Sequence, residues 1–152
     1  MKKTIALLLL TVLLFCFTAC GDGISLNEAD ALLAETIHLI RAGQYTAAIQ
    51  NFHPTARAVL GYSQTDPLAV YVTSLQNQGV DLTLATAQVK VTGFRTSYYQ
   101  STYGGASCEL TYSIQFGDTT VTLSATVVRN KEGFGIYRFA IQKNGALSIP
   151  FL

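Results

Sequence analysis

Hydrophobic and polar positions along this chain follow three successive rhythms. From Ile5 to Phe17 the residues are apolar in a nearly unbroken run, with Thr11 the one interruption. From Ser25 to Gly79 apolar residues recur at steps of three and four, the period of a helix with one buried stripe. From Leu84 onward the step becomes two, the period of a strand with one buried face.

In the helical part, Ser25 and Glu28 form a capping-box pattern, with Asp30 in the first turn. Leu26, Ala29, Leu33, Ile37 and Ile40 make the stripe, and Arg41 and Gly43 supply the stop. A second helix carries Tyr45, Ala48, Ile49 and Phe52 on one face, until His53-Pro54 interrupts it. After a short turn or helix through Val59 and Leu60, Asp66 caps a third helix that Pro67 opens. Its stripe is Leu68, Tyr71, Val72 and Leu75, and Gly79 ends it.

In the extended part, Val89 and Val91 alternate with polar residues, and Gly93 marks a bulge. The cleanest strand sets Cys108, Leu110, Tyr112, Ile114 and Phe116 against Glu109, Thr111, Ser113 and Gln115. Gly117-Asp118 signals a tight hairpin, and Val121, Leu123, Ala125 and Val127 alternate with Thr and Ser beyond it. Asn130 to Gly133 turns the chain into a last strand, Phe134 to Gln142. The predicted architecture is α+β: about three N-terminal helices packed on one face of a curved antiparallel sheet of about four strands, like a cone.

The initial apolar run has a different purpose. It follows Lys2 and Lys3 and is shorter than the ~20 residues that a membrane-spanning helix needs. Small Thr18 and Ala19 precede Cys20, so the segment resembles a bacterial lipoprotein signal with its lipobox cysteine. Cys16 is the poorer acceptor because bulky Phe15 precedes it. The resemblance implies cleavage of residues 1–19, a diacylglycerol on Cys20, a lipidated tether over 20–24, and an extracytoplasmic location at the cell membrane. One domain over 25–143 and a C-terminal tail over 144–152 complete the expected organisation.

The order of elements supports a second resemblance. A helical hairpin turning at Ala42-Gly43-Gln44-Tyr45, then Phe52-His53-Pro54, a third helix and a curved sheet are similar to the nuclear transport factor 2-like (cystatin-like) superfamily, and to its small bacterial lipoproteins. Members include isomerases, dehydratases, ligand carriers and binding modules, so the resemblance implies a cone and leaves the activity open. It also implies that the open sheet face is a candidate dimer surface.

Composition narrows the chemistry. Of ten basic residues, Lys2 and Lys3 go with the leader, against nine acidic residues that all remain, so no nucleic-acid partner is expected. Cys108 is the single thiol left outside the leader and lipobox, so no intramolecular disulfide is expected. No metal or cofactor motif stands out, no Gly-x-Ser-x-Gly elbow is present, and none is expected to operate here.

The candidate catalytic residues are His53, which is either a helix-boundary residue before Pro54 or a base turned into the cone, and Tyr71, as a donor; His38 is read as an exposed helix residue. Tyr62, Tyr71 and Tyr112, with Phe52, Phe116 and Phe139, either line an apolar cavity or fill the core, and Arg138 either anchors a carboxylate inside the cone or reaches solvent at the sheet edge. Tyr98, Tyr99 and Tyr103 form a candidate interaction surface on a loop from Ser97 to Ser107. No carboxylate falls on an expected interior position, which weighs against an isomerase- or dehydratase-like enzyme. The sequence therefore points to a membrane-anchored binding or interaction module, with a small apolar ligand or peptide, another envelope protein or a second copy as candidate partners.

Overall fold

A computed structural model describes residues 23–60, 66–82, 90–116, 119–143 and 149–150. Four helices precede a curved, unclosed antiparallel sheet, so the α+β architecture is as the periodicity predicts. The helices are α1 (Leu26–Arg41), α2 (Tyr45–Ala48), α3 (Pro54–Leu60) and α4 (Pro67–Asn77), with a 3-10 turn at Ile49–Asn51. The strands are β1 (Lys90–Gln100), β2 (Gly105–Phe116), β3 (Thr119–Asn130), β4 (Gly133–Lys143) and the short β5 (Ile149–Pro150), paired in sequence order.

Local signals set most helix ends. The Ser25 hydroxyl accepts the Glu28 N–H at 3.2 Å, but the Glu28 carboxylate turns to Arg129 and leaves the capping box half made. At the other end of α1, Gly43 takes φ 70° and Gln44 N–H returns to the Leu39 carbonyl. Asp66 caps α4 by accepting from Leu68 and Ala69, with Pro67 in the first turn. The second predicted helix breaks into α2 and the 3-10 turn, because the chain must straighten at Phe52 to reach the sheet.

The alternation predicted for β2 and β3 is the alternation observed. Cys108, Leu110, Tyr112 and Ile114 face Val127, Ala125, Leu123 and Val121 across the ladder, and all eight are buried in one core with Leu33, Ile40, Leu68 and Leu75. The opposite face carries Thr111 beside Ser124 and Ser113 beside Thr122. A bulge between Val91 and Gly93 falls where Gly93 predicts one. Two further irregularities, between Ser97 and Gln100 and beside Thr126–Val127, have no glycine to announce them. Ile149–Pro150 lies in the stretch expected to be a tail, yet it pairs with Ala140 and Ile141.

The helical layer meets the sheet at one close crossing. Phe52 forms a parallel bridge with Ile136, and His53 N–H donates to the Ile136 carbonyl at 2.9 Å. A Cβ on Gly135 would stand 2.6 Å from the His53 nitrogen and 2.7 Å from the Phe52 carbonyl carbon, so only glycine admits this approach. Gly135→Ala is therefore expected to destabilise the domain by about 1–3 kcal/mol, by overpacking against backbone that cannot turn aside. Gly43→Ala, where nothing lies within 4 Å, should cost about 1 kcal/mol through its positive φ alone. Denaturant midpoints of the two variants check the ordering. By the same measurement, Tyr112→Asp should lose several times more stability than Thr111→Asp, because the first buries a charge beside Asp30 and the second faces outward.

Candidate functional site

Phe52, Tyr71, Tyr112 and Phe139 converge on the interior of the cone, as the sequence expects. They fill it. Phe52 and Tyr71 each set an edge against Phe139, with ring centroids 6.1 and 6.2 Å apart, and all four residues are buried in the continuous core. Tyr62 lies outside the described residues, as does the side chain of Phe116. Arg138 corrects the expectation of an interior anchor: it is exposed opposite Thr126 on the outward face. An exposed position leaves its charge hydrated, so no desolvation has to be repaid.

The interior hydroxyls are already engaged. Tyr112 donates to Asp30 Oδ1 at 2.6 Å, so a carboxylate does reach the rim of the core, from near the start of α1. Burial, and then the hydrogen bond to Asp30, push the Tyr112 phenol well above its ordinary value. Burial raises Tyr71 in the same direction, against a smaller opposing effect of a hydrogen bond with the Ile141 backbone. Cys108 is buried, and burial followed by the charge of Glu109 pushes its thiol up, so it is a packing group with little thiolate character.

His53 belongs to a second cluster, on the Tyr137 side of the crossing. Its ring is fully buried, and the Thr55 N–H donates to Nδ1 at 3.2 Å, so the imidazole caps α3. With Nδ1 accepting, Nε2 carries the proton and donates to Asn130 Oδ1 at 3.0 Å. Asn130 Oδ1 also accepts the Glu132 N–H, while its Nδ2 donates to the Tyr103 carbonyl. Tyr137 packs between the His53 ring, at 5.6 Å, and the Tyr103 ring, at 5.0 Å. Both nitrogens of the predicted base are spent on structure, and Tyr71, packed on Phe139, belongs to the other cluster. His38 is exposed near the end of α1, as expected.

The tyrosine group divides. The loop expected from Ser97 to Ser107 is shorter, since β1 runs to Gln100 and β2 begins at Gly105. Tyr103 is buried against Tyr137, because Asn130 grips its carbonyl and draws the turn down onto β3. Tyr98 and Tyr99 instead lie in the irregularity between Ser97 and Gln100 and are 86% and 69% exposed. On a regular strand two neighbours face opposite sides; the extra residue turns both rings outward. Two clefts border them. One, of about 400 Å³, is lined by Tyr98, Tyr99, Ala106, Arg129 and Lys131, and the other, of about 300 Å³, by Arg95, Ser97, Tyr99, Ser107 and Glu109.

Arg129, which nothing local in the sequence singles out, organises this end. Its guanidinium donates to the Gly23 carbonyl at 2.9 Å, pairs with Glu28, and stacks 4.6 Å above the Phe134 ring. Gly23 is thereby held against Tyr98, whose ring would lie 2.9 Å from a Cβ at that glycine.

Among the described residues no group of His, Cys, Asp and Glu is placed to hold a metal ion, and no helix is long and apolar enough to cross a membrane. No family model, curated protein or solved structure matches this chain.

Two outcomes follow from these hydrogen bonds. His53→Ala should cost about 1–3 kcal/mol, since Thr55 N–H and Asn130 lose their partner, and urea unfolding reads it. The raised phenols of Tyr71 and Tyr112 give a sign for alkaline pH: both stay protonated in the folded state while the unfolded chain ionises near pH 10. Their contribution is complete below about pH 10 and is lost as pH rises beyond it. Of the eight tyrosines, at least these two should escape spectroscopic titration until the domain unfolds in alkali.

Proposed function

We propose that this chain is an extracytoplasmic lipoprotein, held in the cell membrane by a diacylglycerol on Cys20, that works as a non-catalytic interaction module. Its working surface is the outer face of the sheet, and its partner is a second copy of the chain. The observation that carries the surface is the centre of that face. Thr111 and Ser113 on β2, Thr122 and Ser124 on β3, and Ala140 beside Ser124 on β4 form an array of small, uncharged side chains. The helices cover the opposite side, where the core lies. Small side chains on a twisted sheet let a like sheet approach closely, and an array of one kind of group is complementary to itself.

The same structure argues against the other readings. Phe52, Tyr71 and Phe139, the described members of the expected cavity lining, pack on one another, and a ligand that parted them would cost core burial. An isomerase or dehydratase would need the buried His53 to give up the hydrogen bond that Nδ1 accepts from Thr55 N–H before that nitrogen could take a proton. The element order that resembles the nuclear transport factor 2-like proteins fits this proposal, since the open sheet face is where that resemblance implies dimers.

Two experiments test the two parts. Cys20→Ala should abolish labelled-palmitate incorporation; unchanged labelling removes the lipoprotein reading. For the surface, Ser124→Cys treated with a short bifunctional thiol reagent on cells should yield an adduct of twice the chain mass. Val59→Cys, exposed on α3, should not. Absence of the doubled adduct at Ser124→Cys contradicts the dimer. Ser124→Arg should abolish association while changing stability by less than about 0.5 kcal/mol.

A further inference from the structure

We infer that the domain stands on the membrane with Tyr98 and Tyr99 in the headgroup region, its strands rising away from the lipid; the inference rests on the reading of Cys20 as the lipidated residue. Three links join Cys20 to Gly23, and an extended chain gains at most ~3.6 Å per residue, so the anchor lies within ~11 Å of the Gly23 backbone. Gly23 in turn is fixed: Arg129 holds its carbonyl at 2.9 Å, and it lies against the Tyr98 ring. A diacylglycerol keeps its glycerol at the membrane–water boundary. A ring fixed beside Gly23 is therefore brought to that boundary.

The groups found there suit it. Tyr98 and Tyr99 are the two most exposed aromatic side chains described, and both are turned out at the one place where β1 departs from its register near that end. A tyrosine ring is apolar with a polar tip, the combination enriched at both bilayer interfaces. Lys131, exposed in the neighbouring turn and lining the same cleft, brings an ammonium to the level of the phosphates. Of the acidic residues near this turn, Glu28 pairs with Arg129 and Glu132 accepts from Thr55, while Glu109 lines the other cleft beside Tyr99. Gly23, Tyr98, Tyr99, Gly105 and Lys131 all sit at one end of the ladder, where β1 and β3 finish and β2 and β4 begin. Contact at this end points the strands away from the bilayer and leaves the outer sheet face turned sideways, along the membrane plane.

The chain contains no tryptophan, so a single one reports its own surroundings. The lipidated full chain carrying Tyr99→Trp, and separately Tyr98→Trp, would be reconstituted in vesicles of phosphatidylethanolamine and phosphatidylglycerol. A matched set would contain phospholipids brominated near the glycerol end of the acyl chains. The expected result is a blue-shifted emission that the brominated lipid quenches for both variants, with Val59→Trp on α3 unshifted and unquenched. Flotation of the protein with the vesicles, and its abolition by Cys20→Ala, are read on the same samples. Flotation with unquenched, water-like emission from both variants overturns the orientation and leaves the anchor standing. Failure to float overturns the anchor and the orientation with it. Emission that shifts without lipid, in proportion to protein concentration, overturns the orientation by assigning the rings to contact between copies.

Discussion

Everything in this domain depends on the close passage of Phe52 and His53 over Gly135 and Ile136. The helical layer has one stripe to bury and the sheet has one face, and this crossing fixes how they meet. Because Gly135 carries no side chain, the connecting segment lies flat on β4 and joins it by a backbone hydrogen bond. Phe52 is thereby driven into the core against Phe139, while His53 is left on the other side of the same strand crossing, among Tyr137, Tyr103 and Asn130. The first consequence seats the Phe52 ring on Phe139 in the core. The second draws the β1–β2 turn onto β3 and shapes the end of the sheet where Tyr98 and Tyr99 emerge.

Much of the architecture was legible in the sequence, and the reason is locality. The caps at Ser25 and Asp66, the stop at Gly43 and the alternation from Cys108 to Val127 are each governed by residues within a few positions. Most of the roles that escaped reading are long-range. Asp30 meets Tyr112 across 82 positions and Arg129 meets Glu28 across 101, so neither pairing leaves a local signature. Asp30 reads as an ordinary first-turn acid that favours the helix dipole, and only the docked sheet shows its second partner. Tyr103 misled for a related reason: in a Ser- and Gly-containing stretch it reads as a loop residue, and the distant amide of Asn130 buries it. Arg138 reads either as an interior anchor or as a residue reaching solvent, because its strand is apolar on both faces, a pattern that fixes no direction.

The resulting account moves the chemistry from the inside of the cone to its outside. The aromatic residues that suggested a ligand cavity contribute stability, and the histidine that suggested a base is a helix cap. What remains available is surface: an array of Thr, Ser and Ala on the outer face, and two exposed tyrosines near Gly23. These surfaces are compatible in one orientation. With the tyrosine end on the lipid, the outer face is turned along the membrane, toward a neighbour anchored in the same bilayer. Confinement to a plane would raise the effective concentration of such neighbours, so a weak sheet-to-sheet contact would suffice.

Hydrogen–deuterium exchange on the lipidated protein tests this account most directly, because it reads every surface at once. Vesicle-bound protein would be compared with the same protein in detergent micelles, at a surface density that keeps the chains apart and at one that crowds them. The account predicts slowed exchange on vesicles from Tyr98 to Gly104 and around Lys131, at either density. Crowding should add protection across Thr120 to Ser124, with the amides of α1 and α4 unchanged throughout. Protection confined to the helices, or none at the tyrosine end in protein that remains bound, would contradict it.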